Sequence, residues 1–495
     1  MRNKQLLNRI ITVGTTLLFF WGTTVSAAEQ GSVPDLNSIG GENALTGICV
    51  IEAESGHVVT SYRADDLLTP ASVQKLITAS TLLLCRPADS RLITRLQYEG
   101  TLSAQGELCG DIVIRGCGDP SLGSQYGGCP PATFIEKAVE AVQAAGIRTL
   151  SGRVIADDRV IFDSPLSSKW LWEDIGNYYA AGCYGLNFSD NRISIAFRTG
   201  LPGSLPQLLD ITPKVEGLRI YNHLSTNRSG IDSAYIYGAP YEYSRRLYGS
   251  LPASRKRIIV KSDMPDPPAY LAYQLTQALR QAGISVTQEG TTARLLEEEG
   301  TPLPPYDPTM PRLLDFASPT LLDLWRHTLL ESDNLYAESL LCQIGLTADS
   351  VTTLSASLEQ LKKIWRDNGL PIDEASLYDG SGLSPMNRIS PLMLGRLLVF
   401  AANHEAVGKY LIDLLPHPGE GTLRLFMANS PYASSLHLKS GSMSGVQCYA
   451  GYYTGKRTYV IVVMVNQFTE PRRQVQQEIA DTLNRLLDQL NQEQP

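Results

Sequence analysis

The two ends of the chain share a pattern that the middle of the chain lacks. Near each end, apolar strand-like runs adjoin a helix with one apolar side. These runs are residues 48–53, 58–62, 436–439, 446–453 and 459–465. Because chain termini often lie close together in a domain that hosts an insertion, we expect one α/β core built from both ends, with roughly 200 residues inserted between its two halves.

The inserted region changes character along its length. Residues 94–189 and 258–306 combine short strands, Gly-rich turns and amphipathic helices, whereas residues 190–257 alternate like strands with many turns. A Pro-rich linker closes the insertion. We therefore expect a core of residues 28–93 and 307–495, an inserted domain II of residues 94–189 and 258–306, and an inserted β-rich domain III of residues 190–257.

The N-terminus has the features of an export signal. Three basic residues precede an apolar run over residues 10–22, and Val25-Ser26-Ala27-Ala28 follows it. This order is typical of a signal peptide cleaved after Ala27, so we expect residues 1–27 to be removed. The apolar run is too short to span a membrane comfortably. The mature protein is thus expected to be exported and soluble, with at most peripheral membrane association.

Composition argues against several classes of function. The chain has 42 Lys and Arg against 50 Asp and Glu and no basic tract, so we expect no nucleic-acid partner. The spacings of its eight cysteines match no zinc template, and its six histidines are scattered, so we expect no metal site. The cysteines of an exported chain could pair, but the sequence does not choose the partners. Cys342 and Cys448 lie in apolar stretches and are expected to be buried thiols.

The stretch Thr69-Pro70-Ala71-Ser72-Val73-Gln74-Lys75-Leu76 predicts a helix start, with Thr69 as the N-cap and Pro70 at the first helical position. Ser72 and Lys75 are three residues apart and so share one helix face. Unpaired backbone N–H groups in a first turn favour a developing negative charge. The pair is therefore a candidate nucleophile and base, although the S-x-x-K motif alone is also typical of a capped helix with a solvated lysine.

Two further motifs occur in the C-terminal half. Ser332-Asp333-Asn334 is expected to end a helix that begins at Ser318-Pro319, and Lys439-Ser440-Gly441-Ser442 to end a strand. Each alone is typical of a polar helix end or a solvated strand end. In the order S-x-x-K, S-x-N and K-[ST]-G, the three motifs are the signature of penicillin-binding proteins and serine β-lactamases.

With these motifs, the sequence resembles the low-molecular-mass class C penicillin-binding proteins, the D-alanyl-D-alanine carboxypeptidase/endopeptidase family. Residues 118–122, 379–384 and 421–423 resemble further blocks of this family, and the long interval from Ser72 to Ser332 is absent from compact serine β-lactamases. The resemblance implies an α/β fold whose penicillin-binding-protein/serine β-lactamase-like core, an antiparallel sheet flanked by helices, carries two smaller inserted domains. It also implies a periplasmic enzyme that acts on the stem peptides of peptidoglycan.

The resemblance assigns the acylation chemistry to four side chains. Ser72 would attack the D-Ala-D-Ala peptide bond and form an acyl-enzyme, with Lys75 as the base. The pKa of Lys75 must then lie below that of a free lysine, and burial and the second cation, Lys439, would both lower it. Ser332 could relay a proton to the leaving amine. A β-lactam, which mimics the scissile amide, would acylate Ser72.

The remaining motif residues would bind the substrate. Asn334 could hold Lys75 and the substrate amide, and Lys439, Ser440 and Ser442 would bind the terminal carboxylate. By resemblance, the backbone N–H groups of Ser72 and Ser442 form the oxyanion hole. No step needs a cofactor or metal. Because Ser440 and Ser442 stand where many relatives have threonine, we expect altered rates rather than loss of activity.

Two alternatives and one aromatic cluster stay open. The same core could serve a β-lactamase or a D-amino-acid peptidase, and a catalytically silent protein could use the insertion to bind the cell wall. A further group of aromatic residues could form a sugar-binding surface, although packing in the core or at a domain interface is the commoner role of such clusters. These residues are Trp170, Trp172, Tyr178, Tyr179 and Tyr184.

Overall fold

The computed structural model describes residues 39–126, 128, 130–346, 351–370 and 372–492. The expected signal peptide, residues 1–27, lies outside this part of the chain. Ten helices are present in the described residues: α1 (Lys75–Cys85), α2 (Pro131–Ala144), α3 (Pro267–Gln281), α4 (Ala293–Glu298), α5 (Leu321–Glu331), α6 (Asn334–Gly345), α7 (Leu354–Asp367), α8 (Pro391–Asn403), α9 (Glu405–Leu414) and α10 (Arg472–Gln492).

Twenty strands accompany these helices in the described part of the chain. They are β1 (Leu45–Glu52), β2 (Val58–Tyr62), β3 (Arg91–Leu102), β4 (Glu107–Arg115), β5 (Thr149–Leu150), β6 (Val154–Asp157), β7 (Arg192–Arg198), β8 (Gln207–Thr212), β9 (Arg219–Asn222), β10 (Ser225–Asn227), β11 (Tyr235–Tyr237), β12 (Ser244–Tyr248), β13 (Ser250–Pro252), β14 (Ile258–Asp263), β15 (Ser285–Val286), β16 (Thr291–Thr292), β17 (Arg312–Thr320), β18 (Leu436–Met443), β19 (Val446–Thr454) and β20 (Thr458–Asn466).

The sheet that joins the two chain ends has the order β18-β19-β20-β1-β2, and every neighbouring pair is antiparallel. In its centre, Cys49 of β1 pairs with Val462 of β20. All residues of β20 after Thr458 are buried, so both faces of the sheet are covered. Helix α8 packs against β1 and β20, and α10 packs against β19. The expected α/β core, an antiparallel sheet flanked by helices, is therefore present.

Helix α1 lies at the centre of the helical layer. Nine of its eleven residues are buried, and it packs against α6, α7, α8 and α9. One polar contact inside this layer is the hydrogen bond from the Trp365 indole nitrogen to Thr81 Oγ1, at 2.7 Å. A helix surrounded in this way has little freedom to shift, which fixes the residues at its N-terminal end.

Two expected helix starts differ from the structure. A 3-10 turn over Ala71–Gln74 precedes α1, Pro70 takes the N-cap position, and Thr69 Oγ1 instead accepts a hydrogen bond from Arg388. Likewise Ser318 and Pro319 belong to β17, and Thr320 caps α5. The sequence pattern was misleading at Pro319 because β17 forms one end of its sheet, where a strand tolerates proline.

Two further sheet systems are built mainly from the inserted region, and the first also includes β17, a strand from the stretch expected to belong to the core. One has the order β15-β5-β4-β3-β17, with β6 paired to β4 and β16, and covers a hydrophobic cluster with α2 and α3. The other consists of the small sheets β14-β7-β8, β11-β12-β9 and β10-β13 around a separate cluster that contains Ile236 and Leu247. The boundaries of domains II and III stay a prediction.

Candidate active site

The S-x-x-K residues occupy the junction between the 3-10 turn and α1. Ser72 lies in the turn, and Lys75 is the first residue of α1. Residues three apart eclipse each other in a 3-10 turn, so the two side chains project to the same side. The Nζ of Lys75 donates a hydrogen bond to the Oγ of Ser72 at 3.1 Å. The structure therefore places the candidate base in contact with the candidate nucleophile.

Lys75 is fully buried, and its amine is held from three sides. Besides Ser72, its Nζ donates to Asn334 Oδ1 at 2.6 Å and to the Ser381 carbonyl oxygen at 2.7 Å. Burial lowers the pKa of Lys75 from 10.5 to about 8, against the opposing charges of Glu338, Asp379 and Asp333. A pKa in this range allows the amine to act as a base near neutral pH.

The two buried amines of the site act on each other. Burial lowers the pKa of Lys75, while the carboxylates of Glu338, Asp379 and Asp333 oppose that shift. The pKa of Lys439 is lowered well below its usual range by burial and then by the charge of Lys75. Because repulsion between two ammonium groups is mutual, the lowering of the Lys75 pKa by Lys439 stays a prediction.

Ser332, Asp333 and Asn334 form the tight connection between α5 and α6. Ser332 caps the end of α5 in the left-handed region, with φ 58° and ψ 36°, and Asp333 caps the start of α6. The motif thus ends one helix, as expected, and also begins the next. The Asp333 carboxylate forms a 2.6 Å ion pair with Arg192, which lies in the inserted region. Asn334 therefore points its amide oxygen at Lys75 from the rigid first turn of α6.

The third motif lies on β18. Lys439 is fully buried, and its Nζ donates to Ser332 Oγ at 2.9 Å and to the Ser440 carbonyl oxygen at 2.7 Å. Ser440 Oγ donates to Thr422 Oγ1 at 2.7 Å, and Ser442 is exposed on the same strand. Ser332 is thus held by the second lysine, while Ser440 is half-buried and Ser442 is exposed to solvent.

Gly441 allows β18 to approach the 3-10 turn. A Cβ atom added at this position would lie 2.8 Å from the Ser72 backbone nitrogen and 2.8 Å from the Pro70 carbonyl oxygen. Distances under 3.0 Å are too short for a real Cβ contact, so the strand can lie here only with a glycine. The backbones that carry Ser72 and the third motif are therefore neighbours, as an oxyanion hole shared between them requires.

In the described part of the chain, no group of three or more His, Cys, Asp or Glu side chains is close enough to hold a metal ion. No described helix is both long and apolar enough to cross a membrane. All seven cysteines that the structure describes carry free thiols, and Cys342 and Cys448 are buried, as expected.

Residues 33–490 match the D-Ala-D-Ala carboxypeptidase 3 (S13) family. The chain belongs to this family. The resemblance inferred from the three motifs is thereby confirmed, and the chain is an enzyme of the serine D-Ala-D-Ala carboxypeptidase class.

Several known proteins are similar over most of the chain. A D-alanyl-D-alanine carboxypeptidase of Actinomadura sp. (strain R39) is 26% identical over 447 residues, which cover 86% of this chain and 78% of that protein. The D-alanyl-D-alanine carboxypeptidase DacB of Haemophilus influenzae is 24% identical over 438 residues, which cover 86% of each. The crystal structure of penicillin-binding protein 4 (dacB) from Haemophilus influenzae superimposes with a TM-score of 0.78 at 19% identity, over 92% of this chain and 99% of that chain. This likeness confirms the predicted fold class. A second structure of that protein contains a β-lactam and has a TM-score of 0.72 at 19% identity, over 91% of this chain and 96% of that chain.

Sequence reasoning missed the acidic residues behind Lys75. The Asp379 carboxylate accepts hydrogen bonds from the Gly382 and Ser384 backbone nitrogens and from the Trp170 indole nitrogen, at 2.9, 2.6 and 2.9 Å. The Glu338 carboxylate accepts from the Ser381 backbone nitrogen at 2.8 Å and also from Gly380. These contacts shape the loop whose carbonyl oxygen holds Lys75.

A partial signal for these residues existed. Residues 379–384 resemble a block of the family but carry no assigned role, and Glu338 lies one helical turn after Asn334 on the same face of α6. Gly421-Thr422-Leu423 resembles another such block. The structure places its threonine hydroxyl beside Ser440.

Proposed function

We propose that this family member is a serine DD-carboxypeptidase and DD-endopeptidase that cleaves D-alanyl-D-alanine and related peptide bonds of peptidoglycan through a Ser72 acyl-enzyme. The observation that carries the proposal is the 3.1 Å contact between Ser72 Oγ and the buried Lys75 Nζ, together with a Lys75 pKa of about 8. A serine hydroxyl is a weak nucleophile until a neighbouring base takes its proton.

In the acylation step, Ser72 Oγ forms a bond to the carbonyl carbon of the penultimate D-alanine, and its proton passes to Lys75 Nζ. The backbone N–H groups of Ser72 and Ser442 stabilise the oxyanion. The carbon–nitrogen bond to the terminal D-alanine then breaks, and the proton that Lys75 Nζ took from Ser72 passes through the Ser332 hydroxyl to the leaving amine, which leaves Lys75 neutral again. Asn334 keeps the Lys75 amine aimed at Ser72 through its 2.6 Å hydrogen bond.

The substrate carboxylate is bound on the β18 side of the site. Lys439 supplies the positive charge, and Ser440 and Ser442 supply hydroxyl donors. The hydrogen bond between Ser440 and Thr422 orients the first of these hydroxyls. Water finally hydrolyses the ester and restores Ser72. An endopeptidase reaction follows the same steps when the leaving amine belongs to the next stem peptide instead of free D-alanine.

We place the enzyme outside the cytoplasm, in the periplasm, because of the signal-peptide pattern in residues 1–27 and because its substrate is a wall polymer. The shared family and the β-lactam complex of the Haemophilus influenzae protein support acylation of Ser72 by β-lactams.

The proposal is tested with a fluorescent penicillin and a D-Ala-D-Ala pentapeptide. The wild type should become covalently labelled and release D-alanine, and Ser72→Ala should do neither. Ser229→Ala, an exposed serine of the inserted region, is the matched control and should behave as the wild type. A folded wild type that neither labels nor cleaves contradicts the proposal and favours a silent wall-binding protein.

Two further measurements separate the remaining alternatives. Rapid multiple turnover of nitrocefin would indicate a β-lactamase, whereas a carboxypeptidase should stay acylated after one equivalent. Mass spectrometry of digested wall material should show loss of terminal D-alanine and conversion of cross-linked dimers to monomers. Persistence of the dimers would remove the endopeptidase part of the proposal alone.

A further inference from the structure

The outer face of the small sheet β11-β12-β9 carries a row of aromatic side chains. Along β11, Ile236 is buried while Tyr235 and Tyr237 point outward, and along β12, Leu247 is buried while Tyr248 points outward. Tyr221 of β9 also lies on the exposed side of the sheet. Trp172 stacks on Tyr237 and His223 stacks on Tyr248, so the row extends beyond the sheet. We call Trp172, Tyr221, His223, Tyr235, Tyr237 and Tyr248 the aromatic face.

The rings of the aromatic face contact one another, and their contacts include two nearly parallel pairs and one edge-to-face pair. The centroids of Trp172 and Tyr237 are 5.7 Å apart, those of Tyr237 and Tyr248 are 5.9 Å apart, and those of Tyr248 and His223 are 4.9 Å apart. Trp172 and Tyr237 are nearly parallel, as are His223 and Tyr248, so each of these pairs covers one ring face of both partners. The outer face of the exposed Trp172 indole and the tyrosine hydroxyls at the ring edges are what the aromatic face offers to a ligand. An indole face stacks on the apolar face of a sugar, and tyrosine hydroxyls can bind its polar groups.

Exposure distinguishes this face from ordinary packing. Trp172 is 63% exposed, Tyr235 is 39% exposed and Tyr221 is 37% exposed. Cross-strand aromatic pairs do stabilise a sheet, but that role does not need a tryptophan from a separate loop to lie open to solvent. Of the aromatic cluster noted in the sequence, Trp170 and Tyr184 are buried, whereas Trp172, Tyr178 and Tyr179 are exposed. The cluster thus divides into a packing part and a surface part.

One short segment, residues 172–180, connects the aromatic face to the active site. Asn177 ties this segment to β11, because its side chain accepts from the Ile236 nitrogen at 3.1 Å and donates to the Ile236 oxygen at 3.3 Å. At its other end, the Tyr179 carbonyl oxygen accepts from Asn334 Nδ2 at 2.8 Å. The same short segment therefore contacts both the sheet that carries the aromatic face and Asn334 of the active site.

We propose that the aromatic face binds the glycan strand of peptidoglycan while the active site processes its stem peptide. This proposal rests on the proposed function, since the polymer that carries the stem peptides is then the substrate. A nucleic acid would also stack on aromatic rings, but the chain has a net charge of −8 and no basic tract. Arg246, whose guanidinium lies 4.4 Å from the Tyr221 ring, offers a hydrogen-bond donor to the sugar substituents at the edge of the face.

The test measures binding of the inactive Ser72→Ala protein to sacculi stripped of peptides and to soluble N-acetylglucosamine oligomers. Trp172→Ala and Tyr237→Ala, each in the Ser72→Ala background, should weaken binding at least fivefold. Phe162→Ala is the matched control and should bind unchanged, because Phe162 is also exposed, at 59%, but does not belong to the aromatic face. Circular dichroism should show all variants folded, since the altered side chains lie at the surface.

A second readout uses the active enzyme. The ratio of D-alanine release from intact sacculi to release from a soluble pentapeptide should fall at least fivefold in Trp172→Ala and stay constant in Phe162→Ala. Equal glycan binding by the Trp172, Tyr237 and Phe162 variants would overturn the proposal. It would also be overturned if the Ser72→Ala protein bound unrelated proteins but not glycan. Absence of penicillin labelling of the wild type would instead overturn the proposed function. Failure of the glycan-binding proposal and failure of the proposed function are therefore distinguishable.

Discussion

The pH dependence of acylation follows directly from the burial of Lys75. The amine must be neutral to take the Ser72 proton, and its pKa is about 8 rather than 10.5. At pH 7, about a tenth of Lys75 would then be neutral, against about 0.03% for an unshifted lysine, which is a difference of roughly 300-fold. The second-order acylation rate should therefore rise about tenfold per pH unit below about pH 7 and level off above about pH 8 to 9.

Stopped-flow measurement with a fluorescent penicillin from pH 5.5 to 9.5 checks this prediction. Ionic strength is held constant, and Ser72→Ala supplies the background signal. Intrinsic fluorescence at each pH shows whether the protein stays folded. A rate that is flat from pH 6 to 9 would refute Lys75 as the titrating base. A rate that still rises tenfold per unit at pH 9 would show that burial does not lower its pKa.

Three substitutions, the last with a control, test the contacts behind the site and a buried ion pair elsewhere in the chain. Gly441→Ala should lower the acylation rate at least tenfold without unfolding, because its Cβ would press on the Ser72 turn at 2.8 Å; an unchanged rate would mean that β18 can retreat at no cost. Glu338→Gln should move the acid limb of the pH–rate profile to lower pH, because it removes the main charge that raises the Lys75 pKa. It should also lower the plateau rate by loosening the loop that carries Ser381. An unmoved acid limb would argue against the electrostatic role of Glu338. Arg245→Ala leaves Asp263 buried without its 2.7 Å partner and should cost about 3–5 kcal/mol in urea unfolding, while Arg312→Ala, on an exposed pair, should cost about 0–1 kcal/mol.

The core and the three motifs could be predicted because their signals are local. Apolar runs at both chain ends indicated one shared sheet, and the three-residue spacing of Ser72 and Lys75 indicated a shared side. The role of Glu338 could not be predicted, because it depends on a loop that only the folded chain brings to α6. The local Ser318-Pro319 pattern predicts a helix start, but the pairing of β17 with β3 is a long-range contact that outweighs this local pattern.

The exposure of Trp172 shows a similar limit. An aromatic cluster in the sequence does not reveal which rings face solvent, since that depends on which strands pair beside it. Trp170 hydrogen-bonds the Asp379 carboxylate in the interior, whereas Trp172, two residues later, stacks on Tyr237 at the surface. One short segment therefore contributes both to the loop behind Lys75 and to the aromatic face.

Lys75 and Lys439 differ in the charges that surround their amines. Lys75 is close to Glu338, Asp379 and Asp333, which favour its charged form, whereas burial and Lys75 disfavour a charge on Lys439. A substrate carboxylate arriving beside Lys439 would favour its charged form and so raise the pKa of Lys439, and the positive charge on Lys439 would then disfavour a charge on Lys75.

Binding of a substrate-like carboxylate should therefore be accompanied by proton uptake at Lys439, and the proton on Lys75 should become easier to remove when the scissile bond is in place. Calorimetric titration of Ser72→Ala with a D-Ala-D-Ala peptide, in buffers of different ionisation enthalpy and over a series of pH values, measures that uptake and the pH at which it occurs. Lys439→Arg, which stays charged throughout, should bind without it. Equal proton uptake by both proteins would show that Lys439 is already charged before substrate arrives and that the carboxylate serves only as an anchor.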